Sequence, residues 1–98
     1  PLPTEYVLEQ NYPNPFNPTT DVRYQIADRG SPVHTTLKVF NMLGQEVRVL
    51  VDKVQEPGYY TATWDGCDEQ GIEVASGVYF YRLQSGDFTA NRRMVLLK

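Results

Sequence analysis

Hydrophobic and polar residues alternate one for one through most of this chain, in short runs bounded by Gly, Pro, Asn or Asp. A period of two is that of a strand half buried on a sheet, because successive side chains point to opposite faces. Thr20 to Ile26 sets Val22, Tyr24 and Ile26 on one face and Asp21, Arg23 and Gln25 on the other. Thr35 to Phe40 repeats the pattern. Asn41-Met42-Leu43-Gly44-Gln45 then supplies turn chemistry before Glu46 to Val51, which predicts a hairpin. After Pro57-Gly58, Tyr59 to Trp64 places Tyr60, Ala62 and Trp64 inward, with Trp64 as the core anchor. Val78 to Leu83 and Phe88 to Leu97, each behind a Ser-Gly pair, predict a second hairpin, and a first strand at Tyr6 to Glu9 brings the count to seven.

No segment carries an apolar period of 3.6 residues over ten or more positions, so no helix is expected. Seven short strands in a chain of this size predict an all-β fold, an immunoglobulin-like antiparallel β-sandwich, with a small closed barrel as the alternative. The Cys-Trp-Cys framework of antibody domains is absent. Asn11 to Pro18 contains three prolines, each lacking a backbone donor, and reads as a stiff crossing pinned by Tyr12 and Phe16. Tyr79 and Tyr81 have the spacing with which a phenol hydroxyl pins a sandwich corner.

The chain has 98 residues, enough for one modest core. Residues 1–5 read as a linker stub and 6–98 as a single domain, which fits the terminal module of a longer polypeptide. Twelve acidic and nine basic residues give a net charge of −3, with no basic face suited to nucleic acid. No apolar run is long enough to span a bilayer, so membrane insertion is not expected, and Pro1 to Thr4 is not a signal peptide. The single Cys67 excludes an internal disulfide, and its acidic neighbours would raise the thiol pKa.

Catalysis requires a nucleophile with a base, paired carboxylates in a cleft, or an open metal position. His34 is the lone histidine and reads as a surface residue, and one His with one Cys cannot complete a zinc site. We expect no catalytic residues, no metal and no cofactor. The loop from Asp65 to Glu73 holds the densest carboxylates, but Asp65, Asp68, Glu69 and Glu73 lack the spacing of a calcium loop and sit among turn-forming Asp-Gly and Gln-Gly pairs. Tyr59, Tyr60, Tyr79 and Tyr81 could form a sugar-stacking platform, against the plainer reading as strand residues with one buried face.

Five blocks taken together are more specific than any one alone: Leu8 to Thr20 with its Asn-Tyr-Pro-Asn-Pro-Phe-Asn-Pro core, Val39 to Val47, Gly58-Tyr59 with Trp64-Asp65-Gly66, Ala75 to Leu83, and Arg93 to Lys98. In this order they resemble the type A C-terminal sorting domain of the type IX (Por) secretion system, over essentially the whole chain. The same blocks are similar to the immunoglobulin-like domain of the flagellar hook-assembly scaffold protein. The first resemblance implies a non-catalytic domain that directs a secreted N-terminal passenger from the periplasm across the outer membrane to the cell surface. Its partners would be the type IX translocon and a sortase-like signal peptidase. The family's basic and apolar final strand maps onto Arg92, Arg93, Met94, Val95, Leu96, Leu97 and Lys98, with Gly86 in the preceding turn; Arg93 stands where lysine is frequent. A terminal strand can be read by strand addition if one edge is open. The flagellar likeness implies an assembly scaffold instead, and a third reading is a glycan-binding or spacer module of an extracellular enzyme.

Overall fold

In the computed structural model, which describes residues 1–98, seven strands form: β1 (Val7–Leu8), β2 (Thr20–Ile26), β3 (Val33–Phe40), β4 (Glu46–Gln55), β5 (Gly58–Trp64), β6 (Gly77–Ser85) and β7 (Phe88–Leu96). They build two antiparallel sheets, β1-β2-β5 and β4-β3-β6-β7. The sheets stay separate rather than closing into a barrel, so the fold is the immunoglobulin-like sandwich. β4 lies in the sheet of β3, β6 and β7, unlike the fourth strand of an antibody constant domain.

The alternation read from the sequence is the observed register. Thr20 pairs with Trp64, Val22 with Ala62 and Tyr24 with Tyr60, so both strands turn the same parity inward, and Tyr24 stacks on Tyr60 at 5.3 Å between ring centroids. Trp64 is fully buried. Its ring lies 5.6 Å from that of Phe16 and 5.4 Å from that of Tyr79, joining the proline-rich crossing and β6 to β5. The two aromatic contacts are tilted and edge-on, arrangements that suit the ring quadrupoles.

Three expectations need correction. β4 extends to Gln55 instead of ending near Val51, because two bulges insert Val47 and Leu50 opposite β3 and let both pack towards the core, which breaks period two without breaking the ladder. β1 is only two residues long, since Tyr6 leaves the sheet to stack on Phe88 at 5.0 Å. Tyr12 pins the crossing through its backbone and not its ring: the backbone pairs both ways with Asp21, at 3.0 and 2.9 Å, while the residue is 78% exposed. The crossing is also held by buried Phe16 and by Asn11, whose amide bonds Thr20 Oγ1 (3.0 Å) and the Pro13 carbonyl (3.2 Å).

Three phenols lock the sandwich. Tyr79 donates to the Ala75 carbonyl four residues upstream (2.6 Å), closing the predicted corner. Tyr81 donates to the Glu9 carbonyl (2.7 Å) and accepts from the Asn11 N–H (2.8 Å), while Tyr24 donates to Gln55 Oε1 (2.8 Å). Burial raises the pKa of each; the Tyr24–Gln55 bond and, at Tyr81, the Asn11 bond and the Arg92 charge oppose the rise only in part. A folded pKa above the unfolded value of about 10 means that these neutral phenols stabilise the fold fully below about pH 10, and that the contribution is lost as pH rises through the raised values. Stability should therefore hold to about pH 10 and fall above it, with Tyr24, Tyr79 and Tyr81 ionising above the ordinary phenol range while the domain is folded. A spectrophotometric titration in which all seven tyrosines ionise together in the folded state would contradict this.

Candidate functional site: the last strand and its edge

β7 pairs with β6 alone and forms one edge of the four-stranded sheet. In an antiparallel pair successive residues turn their N–H and C=O groups alternately towards and away from the partner strand. At Val95 both groups, and at Leu97 the N–H, point outward and are already engaged. The Phe16 N–H donates to the Val95 carbonyl and the Leu97 N–H to the Phe16 carbonyl, each at 3.0 Å. The Val95 N–H donates to Asn14 Oδ1 (3.0 Å), and the Gln10 amide to the Arg93 carbonyl (2.6 Å). The proline-rich segment thus caps the C-terminal half of the edge.

The eight residues singled out from the sequence do not converge. Gly86 is the first residue of the two-residue β6–β7 turn, with φ +58°, the position that a II′ hairpin reserves for glycine. A β-carbon there would stand 3.6 Å from Val33 and 3.7 Å from the Tyr6 hydroxyl, so the backbone angle and not crowding selects glycine. The whole of β7, about 30 Å long, runs between Gly86 and Lys98. Met94 and Leu96 are fully buried in the core, where a partner meeting the folded domain does not touch them. Arg92 turns towards the β1 side and its Nε donates to the Leu8 carbonyl (2.6 Å). Arg93 and the half-buried Val95 face outward, opposite Phe80 and Val78. Leu97 is exposed; Lys98 pairs with Glu73 (3.2 Å), and its N–H donates to Ser76 Oγ (3.0 Å). Gln10, Asn14 and Phe16, which determine how much of this edge is open, had no local signal in the sequence beyond the expected pinning by Phe16.

The acidic loop is organised around Arg48, whose guanidinium lies 3.2 Å from Asp65 and 3.7 Å from Glu69. Asp68 Oδ1 accepts the N–H groups of Gln70 and Ile72, each at 3.0 Å, and Glu69 accepts that of Val49 (2.6 Å). No three His, Cys, Asp or Glu side chains gather as a ligand set. Calcium or EDTA should accordingly leave the melting temperature unchanged, and a calcium-dependent rise would contradict this reading of the loop. Partial burial and the nearby Asp65 and Glu73 carboxylates push the Cys67 thiol pKa up. His34 bonds Asp52 at 2.7 Å on the exposed side of β3. Tyr79 and Tyr81 are buried while Tyr59 is exposed, so the four tyrosines share no platform.

The sequence profile of the FlgD Ig-like domain matches residues 16–87. The chain belongs to the FlgD Ig-like domain family. The match spans β2 to β6 and stops at the β6–β7 turn, so β7 and its arginines lie beyond the part shared with the FlgD Ig-like profile. No curated protein matches the chain significantly. Among solved structures, the dimeric latent PorU of Porphyromonas gingivalis superposes with a TM-score of 0.71 at 18% identity, over 94% of this chain and 9% of PorU. PorZ, described as an essential bacterial surface component of the type-IX secretion system of the same organism, superposes with a TM-score of 0.58 at 20% identity, over 91% of this chain and 11% of PorZ. The chain therefore spans about a tenth of either protein, and at these identities the likeness is one of fold.

Proposed function

We propose that this FlgD Ig-like domain is a non-catalytic sorting domain that directs an attached passenger out of the cell through a type IX secretion system. What supports the reading is the set of five sequence blocks, which extends past the end of the family match into β7 and closes on Arg93 to Lys98. The sandwich likeness to a domain of PorZ, itself a surface component of that system, is consistent with it. On this reading the domain meets the translocon through the outward side of β7, a sortase-like peptidase acts at the junction with the passenger, and the passenger is released or held at the surface. Catalysis and cofactors belong to the passenger. The test is the location of a periplasm-directed reporter in a bacterium with a type IX system, with and without this domain at its C-terminus. The reporter should appear outside the cell only when it carries the domain.

A scaffold role of the flagellar kind is the second reading, favoured by the family match over residues 16–87. It predicts that the fused reporter stays in the periplasm.

A further inference from the structure

β6 and β7 together contain Arg82, Arg92 and Arg93 and no carboxylate, in a chain whose net charge is −3. Arg82 and Arg93 are diagonal neighbours on the outer face, since Phe80 pairs with Arg93 and Arg82 with Asn91. Neither forms an ion pair; Arg82 lies over the Phe40 ring at 4.9 Å and donates from Nε to Asn91 Oδ1 (2.9 Å). Beside them the outer face exposes Phe80 (36%) and Met42 (67%). Two shallow grooves meet at Phe80 and Asn91, one running to Met42 and the other along Arg92 and Arg93 to the edge of the sheet.

The edge beneath this patch is the open half of β7. The alternation that turns Val95 and Leu97 outward also turns Thr89, Asn91 and the Arg93 N–H outward, and the proline-rich segment makes no hydrogen bond to them. An added strand would find backbone donors and acceptors there, with Arg93 above the sheet plane and Arg92 below it. Acidic side chains of either parity would then face an arginine.

The geometry points to a strand-addition site at Thr89 to Arg93 for an acidic, extended segment of a partner protein, held by backbone pairing along the open edge and by Arg82, Arg92 and Arg93. A second copy of this chain fits poorly, because antiparallel pairing about Asn91 would bring two arginine patches together without a carboxylate between them. The uncapped end of β7 near Thr89, and not the capped terminal residues, is the part of the edge available to a partner. The site rests on the fold and charge distribution alone and stands whether or not the domain is an export address.

The test is a titration of the folded 98-residue domain, followed by amide chemical shifts, with a seven-residue peptide alternating glutamate and valine; control peptides carry serine or lysine in place of glutamate. Expected are shifts concentrated at Thr89, Asn91 and Arg93, with weaker binding of the serine peptide and none of the lysine peptide. The affinity should fall with added salt and drop about tenfold or more in R82E/R93E, whose melting curve is expected to stay near wild type because both side chains are on the surface. Thr89→Pro, which removes an outward N–H, should weaken binding by a similar factor while the charges remain. Shifts centred elsewhere, equal binding of the three peptides, or self-association through β7 that blocks the peptide would each overturn the proposal. None of these results bears on reporter export, so the two ideas fail separately.

Discussion

Trp64→Ala is expected to destabilise the domain by about 3–5 kcal/mol, the largest effect of any single truncation. Stabilities of domains of this size are about 5–15 kcal/mol, so the variant would lose about a fifth of its margin at the least, and most of it in a marginally stable domain. Three contributions combine. The indole is fully buried, its removal leaves a cavity between Phe16 and Tyr79, and the Cys67 carbonyl loses the Nε1–H that it accepts at 2.9 Å. Because Phe16 also holds the cap on β7, the loss should loosen the crossing as well as β5. Urea unfolding followed by circular dichroism measures it, and an unfolding free energy within about 1 kcal/mol of wild type would contradict the central place given to Trp64.

Deleting Arg92 to Lys98 is expected to leave no folded domain. Met94 and Leu96 are fully buried and each alone would cost about 2–5 kcal/mol on truncation, while the deletion also removes the groups that Phe16, Asn14 and Gln10 bond. Loss of export by such a truncation would therefore report unfolding as much as lost recognition. The charge reversal R93E/K98E separates the two. Arg93 makes no ion pair and Lys98 shares an exposed one with Glu73, so this variant should melt within a few degrees of wild type. A cooperative melt of the truncated chain, or collapse of the charge-reversed one, would show that the division of β7 into core and surface residues is misplaced.

The strands that alternate strictly were legible because burial on one face imposes period two: β2, β5 and β6 turn inward the residues whose parity predicts it. The limits lie where tertiary contacts override local pattern. β4 hides its continuation behind two bulges, so Val47 and Leu50 pack although period two cannot place both inward. Tyr12 and Phe16 look equivalent in a proline-rich run, yet only Phe16 reaches Trp64, a choice made by residues nearly fifty positions away. At the candidate site, the arginines of β7 and the turn glycine were visible as residue types. Whether their strand edge is open depends on Asn14, which bonds Val95 across 81 positions, and on Gln10, which bonds Arg93 across 83. Period and composition carry no information at that range. Arg82 became part of the patch only when the β6–β7 register placed it diagonally from Arg93.

The sorting function is tested most directly by the extracellular fraction of a reporter fused to this domain, measured in a type IX-competent strain and in a derivative lacking the translocon. The account predicts reporter outside the first strain and retained in the periplasm of the second, with the Trp64→Ala fusion retained in both. Equal extracellular fractions in the two strains, or none in either with the domain intact and folded, would contradict it.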